Sequence, residues 1–201
     1  MSLEAAVRSR LEEQGLPVQE ILDLSNGNPA AFLPYHNNEH NYVFAVNAYD
    51  IGKSSGLNNW QLKHLLVAGI FHDYDHTGGT KPDVNNILRA LKFIHAEHRV
   101  FTKMGLAPYY LRQLIQATQN PPRVTYSFPE KIMRDADFMG WCEPETRHMM
   151  LGLSAELGVP VNIKSTKKFL NETFIHTEQA RNKLSEAGWT EYDSLSQNDK
   201  Y

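Results

Sequence analysis

The stretch LKHLLVAGIFHDYDHTGG (62–79) decides the fold. Its first ten residues are apolar except for Lys63 and His64, and LLVAGIF (65–71) is the longest unbroken apolar run in the chain. Such a run, closed by Gly78-Gly79, predicts a helix buried on nearly every side. The polar motif FHDYDH (71–76) emerges at its end. At about 100° per residue, His72, Asp73 and His76 fall within about 100° of arc. Adjacent helical residues can share a ligand only if one projects obliquely, which a helix end permits.

The same reading extends outward. β-Branched alternation is scarce and helical periodicity recurs. Helices are expected over 3–14, 17–25, 37–53, 59–73, 83–104, 108–119, 129–138, 143–157 and 162–187. The breaks fall at Gly15-Leu16-Pro17, Gly56, Gly78-Gly79, Gly105, Asn120-Pro121-Pro122 and Gly158-Val159-Pro160. The fold class is therefore all-α: a single compact multi-helix bundle over 1–187, followed by a polar C-terminal tail, 188–201. In helix 83–104, Val84, Leu88, Leu91, His95 and His98 form one stripe, joined by Ile87 and Ile94. That places both histidines on an inward face, either as hydrogen-bonded core groups or with His95 bordering a metal pocket.

Composition narrows the class. With 201 residues, 41% hydrophobic and 21% charged, the chain is an ordinary globular one. Twenty basic against 23 acidic side chains leave a net charge of −3, and no basic run suggests a long nucleic-acid partner. The lone cysteine, Cys142, cannot form an internal disulfide, no apolar run approaches a membrane span, and MSLEAAVRSRLEEQ has no signal-peptide core. A cytoplasmic protein without membrane partners is expected; its oligomeric state is not legible.

Chemistry concentrates in three short motifs. PYHNNEH (34–40) sets His36 and His40 four residues apart, on one helical face. FHDYDH supplies His72, Asp73 and His76, and RDADFMGW (134–141) supplies Asp137 or Asp135. Nitrogen and oxygen donors in this mixture suit a divalent cation such as Mn, Mg, Fe, Co, Ni or Zn, one or two of them. Asp75 is read as a cap, as an acceptor for a ligating histidine, or as an exposed surface group, the acceptor role being preferred. His64 and His148 lack a partner motif and are read as structural, as is His176, placed in an amphipathic C-terminal helix. Lys81, Asn85, Asn86 and Arg89 follow the Gly-Gly turn and are candidates for substrate contacts. Arg134 is expected to pair with Asp135. Tyr35, Phe138 and Trp141 are read as core residues, or as walls of a base pocket.

The pattern YHNNEH (35–40) followed by HDYDHTG (72–78) resembles the HD-domain metal-dependent phosphohydrolases. ATQNPP (117–122) and ADFMGW (136–141) follow in the expected order, and the wording is nearest to the catalytic domains of class I cyclic-nucleotide phosphodiesterases. The resemblance covers Pro34 to Trp141. It implies that His40, His72, Asp73 and Asp137 hold a first metal, with Asp137 preferred to Asp135. Asp73 bridges to a more hydrated second ion, with His76 nearby in its outer sphere, and His36 is the general acid. His95 stands where some relatives supply a second-metal histidine, but Gln119 stands where a further one is expected. The implied reaction is hydrolysis of a nucleotide-sized phosphate ester by water ionised on the metal. Phosphomonoesterase action on nucleoside monophosphates, or a di-iron oxygenase on the same scaffold, are the alternatives.

Overall fold

The computed structural model describes residues 2–120, 126–140, 148–172 and 174–185. The polar tail 188–201, Trp141 and residues 143–147 lie outside the described residues. The described chain is helical without strands: α1 (Leu3–Glu13), α2 (Val18–Asn26), α3 (Asn38–Ser54), α4 (Asn59–Phe71), α5 (Asp83–Ala96), α6 (His98–Lys103), α7 (Pro108–Ala117), α8 (Phe128–Met139), α9 (Met149–Leu157), α10 (Ile163–Glu172) and α11 (Glu178–Lys183).

The apolar run of α4 is the axis of the bundle. Leu65, Leu66, Val67, Ala68 and Phe71 are fully buried, so the helix meets neighbours all round. Its start is fixed by a capping box between Asn58 and Gln61. The long helix α3 crosses it where two small residues meet. A Cβ added at Gly69 stands 2.6 Å from the Cα of Ala45 and 3.0 Å from its Cβ. Only glycine lets the two backbones approach this closely. That crossing lies five residues beyond His40 and three before His72, so it decides the spacing of the two imidazoles.

Two expected helices are divided. The segment 83–104 turns at Glu97, whose N–H donates back to the carbonyls of Phe93 and His95. After the turn, fully buried Phe101 packs against Phe71 and Phe93, with ring centroids 5.5 and 6.1 Å away. The inward face of α5 also differs from the expected stripe. It is built from Asn86, Ile87, Ala90, Leu91 and Ile94, whereas Val84, Leu88, His95 and His98 are exposed. Ala90 and Asn86 complete the i, i+3, i+4 pattern, and a reading limited to large apolar side chains passes over them.

The segment 162–187 breaks between α10 and α11. There the buried carboxylate of Asp135 accepts from His176 N (2.9 Å), Thr177 N (2.7 Å) and Thr177 Oγ1 (2.7 Å). Thr177 then caps α11 by accepting from Ala180 N. His176 therefore sits in a pinned turn rather than in the amphipathic helix expected for it. No helix among the described residues is long and apolar enough to cross a membrane.

Candidate metal centre

α3, α4 and α8 converge on one cluster of donors. His72 is the C-cap of α4, and Asp73 begins the turn that follows it. There Tyr74 N and His76 N donate to the carbonyls of Phe71 and Asp73. Adjacent ligands thus splay because regular helix stops between them. His40 lies in the first turn of α3, capped by Asn37, whose side chain accepts from the N–H groups of Glu39 and His40. Asp137 reaches in from the last turn of α8.

Nε2 of His40 and Nε2 of His72 are 3.2 Å apart, and each is 3.2 Å from Oδ2 of Asp73. Asp137 Oδ1 stands 3.8 and 3.9 Å from the same two nitrogens. Donors about 2.0–2.2 Å from one cation lie about 2.8–3.6 Å from one another in tetrahedral or octahedral geometry. His40, His72 and Asp73 meet that condition, and Asp137 stands a few tenths of an ångström beyond it. The tautomer of His72 also suits a metal, because its Nδ1–H donates to the Gly69 carbonyl at 2.8 Å and leaves the Nε2 lone pair facing inward. Two imidazole nitrogens 3.2 Å apart in a buried site need a proton or a metal ion between them. His40, His72 and Asp73 are all buried. These His and Asp groups can therefore hold a metal ion.

The electrostatics agree with that need. Burial lowers the pKa of His40 to about 4. Burial also opposes the cation of His72, but the charge of Asp73, the hydrogen bond to it, the charge of Asp137 and the bond to the Gly69 carbonyl together outweigh it and carry the pKa to about 8. Burial works against the Asp73 carboxylate, yet the His72 charge and hydrogen bonds from both histidines hold it well below the usual range. Asp137 is pushed up by burial to about 6. One proton is retained in the cluster where a metal would otherwise supply the positive charge.

A second group, His36, Asp73 and His76, adjoins the first, because Asp73 Oδ2 also stands 3.2 Å from His40 and from His72. The rings of His36 and His76 are stacked, with centroids 3.6 Å apart. His36 is held from outside by Glu156 of α9, which no motif singled out. Glu156 Oε1 accepts from Tyr35 N (2.6 Å) and His36 N (2.9 Å), and Oε2 is 2.5 Å from His36 Nδ1. Burial disfavours the His36 cation, but the bond to Glu156 and the charge of Asp73 raise its pKa above the ordinary value. His76 differs. Its Nδ1 accepts from Gly78 N at 3.0 Å, which leaves the ring proton on Nε2, and burial lowers its pKa to about 4. One ring of the stacked pair favours its cation and the other is a neutral donor.

Asp75 accepts no histidine proton. Both its oxygens accept from Arg89, at 2.9 and 3.0 Å, and its backbone has φ 64°. The acceptors and donors at the histidine Nδ1 atoms are instead Gly69, Glu156 and Gly78. His95 is exposed and belongs to neither group, because it lies on the outer side of α5. Asn86 is buried and accepts from Thr77 N and Oγ1, so it shapes the turn after His76 rather than the mouth. Lys81, Asn85 and Arg89, with Thr77, Leu88 and Lys92, line a groove of about 360 Å³.

Arg134 does not pair with Asp135. It donates to the carbonyls of Ala117 and Gln119 at the end of α7, while Asp135 serves the turn at 176–177. Tyr35 is buried behind the histidines, its ring centroid 4.5 Å from that of His40, and Phe138 packs edge-on to Phe169. His64 is buried with both nitrogens used, Nδ1 by the Trp60 carbonyl and Nε2 by Ala107 N. His148 is exposed, 3.2 Å from Glu39 Oε1. No protein-family model matches the chain, and a search of curated proteins finds no significant match.

Proposed function

We propose that the protein is a metal-dependent phosphoric ester hydrolase acting on a small, nucleotide-sized phosphodiester. The observation that carries this reading is the pairing of a buried three- to four-donor cluster with a separately held histidine beside it. His40, His72, Asp73 and Asp137 would hold a divalent ion, which when bound would supply the acidity to ionise water near neutral pH and offset charge on a phosphoryl group. The protein's own groups supply the rest. His72 and Asp73, fixed by the end of α4 and by the Gly69 carbonyl, keep their donor atoms converged. His36 holds a proton at Nε2 while Glu156 accepts from Nδ1, an arrangement suited to protonating a departing alkoxide. His76 presents Nε2–H next to His36 and can donate to a phosphoryl oxygen.

Exposed His95, and Gln119 in the place of a further histidine, leave the cluster with a mixed His/Asp set. This favours hydrolysis over oxidative di-iron chemistry. The test is a screen of 3′,5′- and 2′,3′-cyclic nucleotides, nucleoside monophosphates and aryl phosphate esters against Mn²⁺, Mg²⁺, Co²⁺, Ni²⁺, Fe²⁺ and Zn²⁺. Metal-dependent turnover of a diester is expected. Turnover of monoesters alone overturns the diester assignment, and no turnover with any metal overturns the hydrolase assignment.

A further inference from the structure

We propose that Gly152 is a positioning residue that sets the leaving-group acid, so that the acid half of the site is carried by α9 and is separable from the metal half. The inference rests on the phosphoric ester reading for its kinetic arm only.

The metal half hangs on the crossing of α3 and α4 and on the end of α8. The acid half has a different support. His36 precedes α3, in the turn that also contains Pro34 and Tyr35, and that turn is clasped by α9. The closest approach is at Gly152, where an added Cβ would lie 2.1 Å from the Pro34 carbonyl oxygen, 2.7 Å from its carbon and 3.3 Å from Tyr35 N. These are backbone atoms, which cannot swing aside as a side-chain end can. One helical turn later, on the same face, Glu156 accepts from both backbone N–H groups of the turn and from the His36 ring. The packing is also separate, because Tyr35, Val43, Met149 and Leu153 form a small cluster apart from the main core. Glycine at 152 and glutamate at 156 thus work as seat and clasp. A side chain at 152 must push α9 away from the turn by about 1.4 Å, from 2.1 Å to an ordinary contact of about 3.5 Å. The carboxylate then no longer reaches Nδ1.

The test uses the full chain carrying Gly152→Ala, with Leu151→Ala on the exposed side of α9 as the control. Two diesters are compared: a cyclic nucleotide, whose alkoxide leaving group needs a proton, and bis(p-nitrophenyl) phosphate, whose phenolate does not. For Gly152→Ala, turnover of the cyclic nucleotide is expected to fall on the order of 10²-fold, with the aryl ester nearly unchanged. Metal content by elemental analysis should equal that of the wild type. The downfield proton resonance of the His36–Glu156 hydrogen bond, assigned with His36→Asn, should be lost. Leu151→Ala should change none of these.

Equal losses on both esters, or a retained resonance, overturn the proposal. Should Gly152→Ala not fold, Met149→Ala loosens the same helix from Tyr35 and Val43 and must give the same split between esters; its absence is equally decisive. If the wild type hydrolyses neither ester, the functional reading fails while the resonance still decides the link from Gly152 to His36.

Discussion

Replacing Gly69 with alanine tests whether one close helix crossing builds the metal centre. The new methyl group would stand 2.6 Å from Ala45 Cα, 3.0 Å from Ala45 Cβ and 3.0 Å from Phe44 Cδ1. Ordinary carbon contacts settle at about 3.5–4.0 Å, so α3 and α4 must part by about 1 Å. Overpacking of this kind costs about 1–3 kcal/mol. Alanine returns up to about 1 kcal/mol through better helix propensity. With the full propensity gain the net loss is about 0–2 kcal/mol, which lowers Tm by up to about 8 °C in a chain of this size.

The crossing also spaces His40 and His72. Their Nε2 atoms, now 3.2 Å apart, would move to about 4 Å, beyond the donor spacing that one cation accepts. Metal affinity should fall about 10–100-fold, as it does when the support of a ligating histidine is disturbed. Thermal unfolding by circular dichroism of the metal-free protein, and Mn²⁺ titration against a chromophoric chelator, measure the two effects. A Tm equal to or above the wild-type value together with unchanged affinity would refute the argument that this glycine spaces the ligands.

Other predictions follow from the same geometry. Asp73→Ala should abolish metal binding, since Oδ2 is the atom shared by both imidazoles; stoichiometric metal in the purified variant counts against its role. His36→Ala should keep the metal and lower turnover of an alkyl ester about 10²–10⁴-fold, and loss of metal in that variant argues for a ligand instead of an acid. The metal-free protein should lose stability as pH rises from about 6.5 to 8. The folded-state pKa of His72 is raised to about 8, so its contribution is complete below 6.5 and is lost as pH passes through 8, a change of about 2 kcal/mol. Saturating Mn²⁺ should flatten that dependence, and a metal-free Tm that stays constant over the window contradicts it. Asp135→Ala should cost about 2–3 kcal/mol in urea denaturation without altering metal stoichiometry, because it strips the acceptor from the turn before α11.

What the chain alone determined were its local features. The apolar run ending in His72, the glycine and proline breaks, and the absence of β-alternation placed most helices within a residue or two, because they depend on neighbours three or four positions away. The donor residues were legible for the same reason: His40, His72, Asp73 and Asp137 stand in short motifs whose polar groups interrupt apolar segments. Tertiary structure decided what depends on distant partners. The breaks at Glu97 and at 174–177 exist because Phe101 must reach the core and because Asp135, roughly forty residues earlier, captures two backbone N–H groups. His95 faces outward because the small residues Ala90 and Asn86 complete the inner face of α5. Glu156 and Gly152 carry no sequence signal: a carboxylate 120 residues from His36 becomes its partner only when a helix without a side chain at one position can rest on a carbonyl.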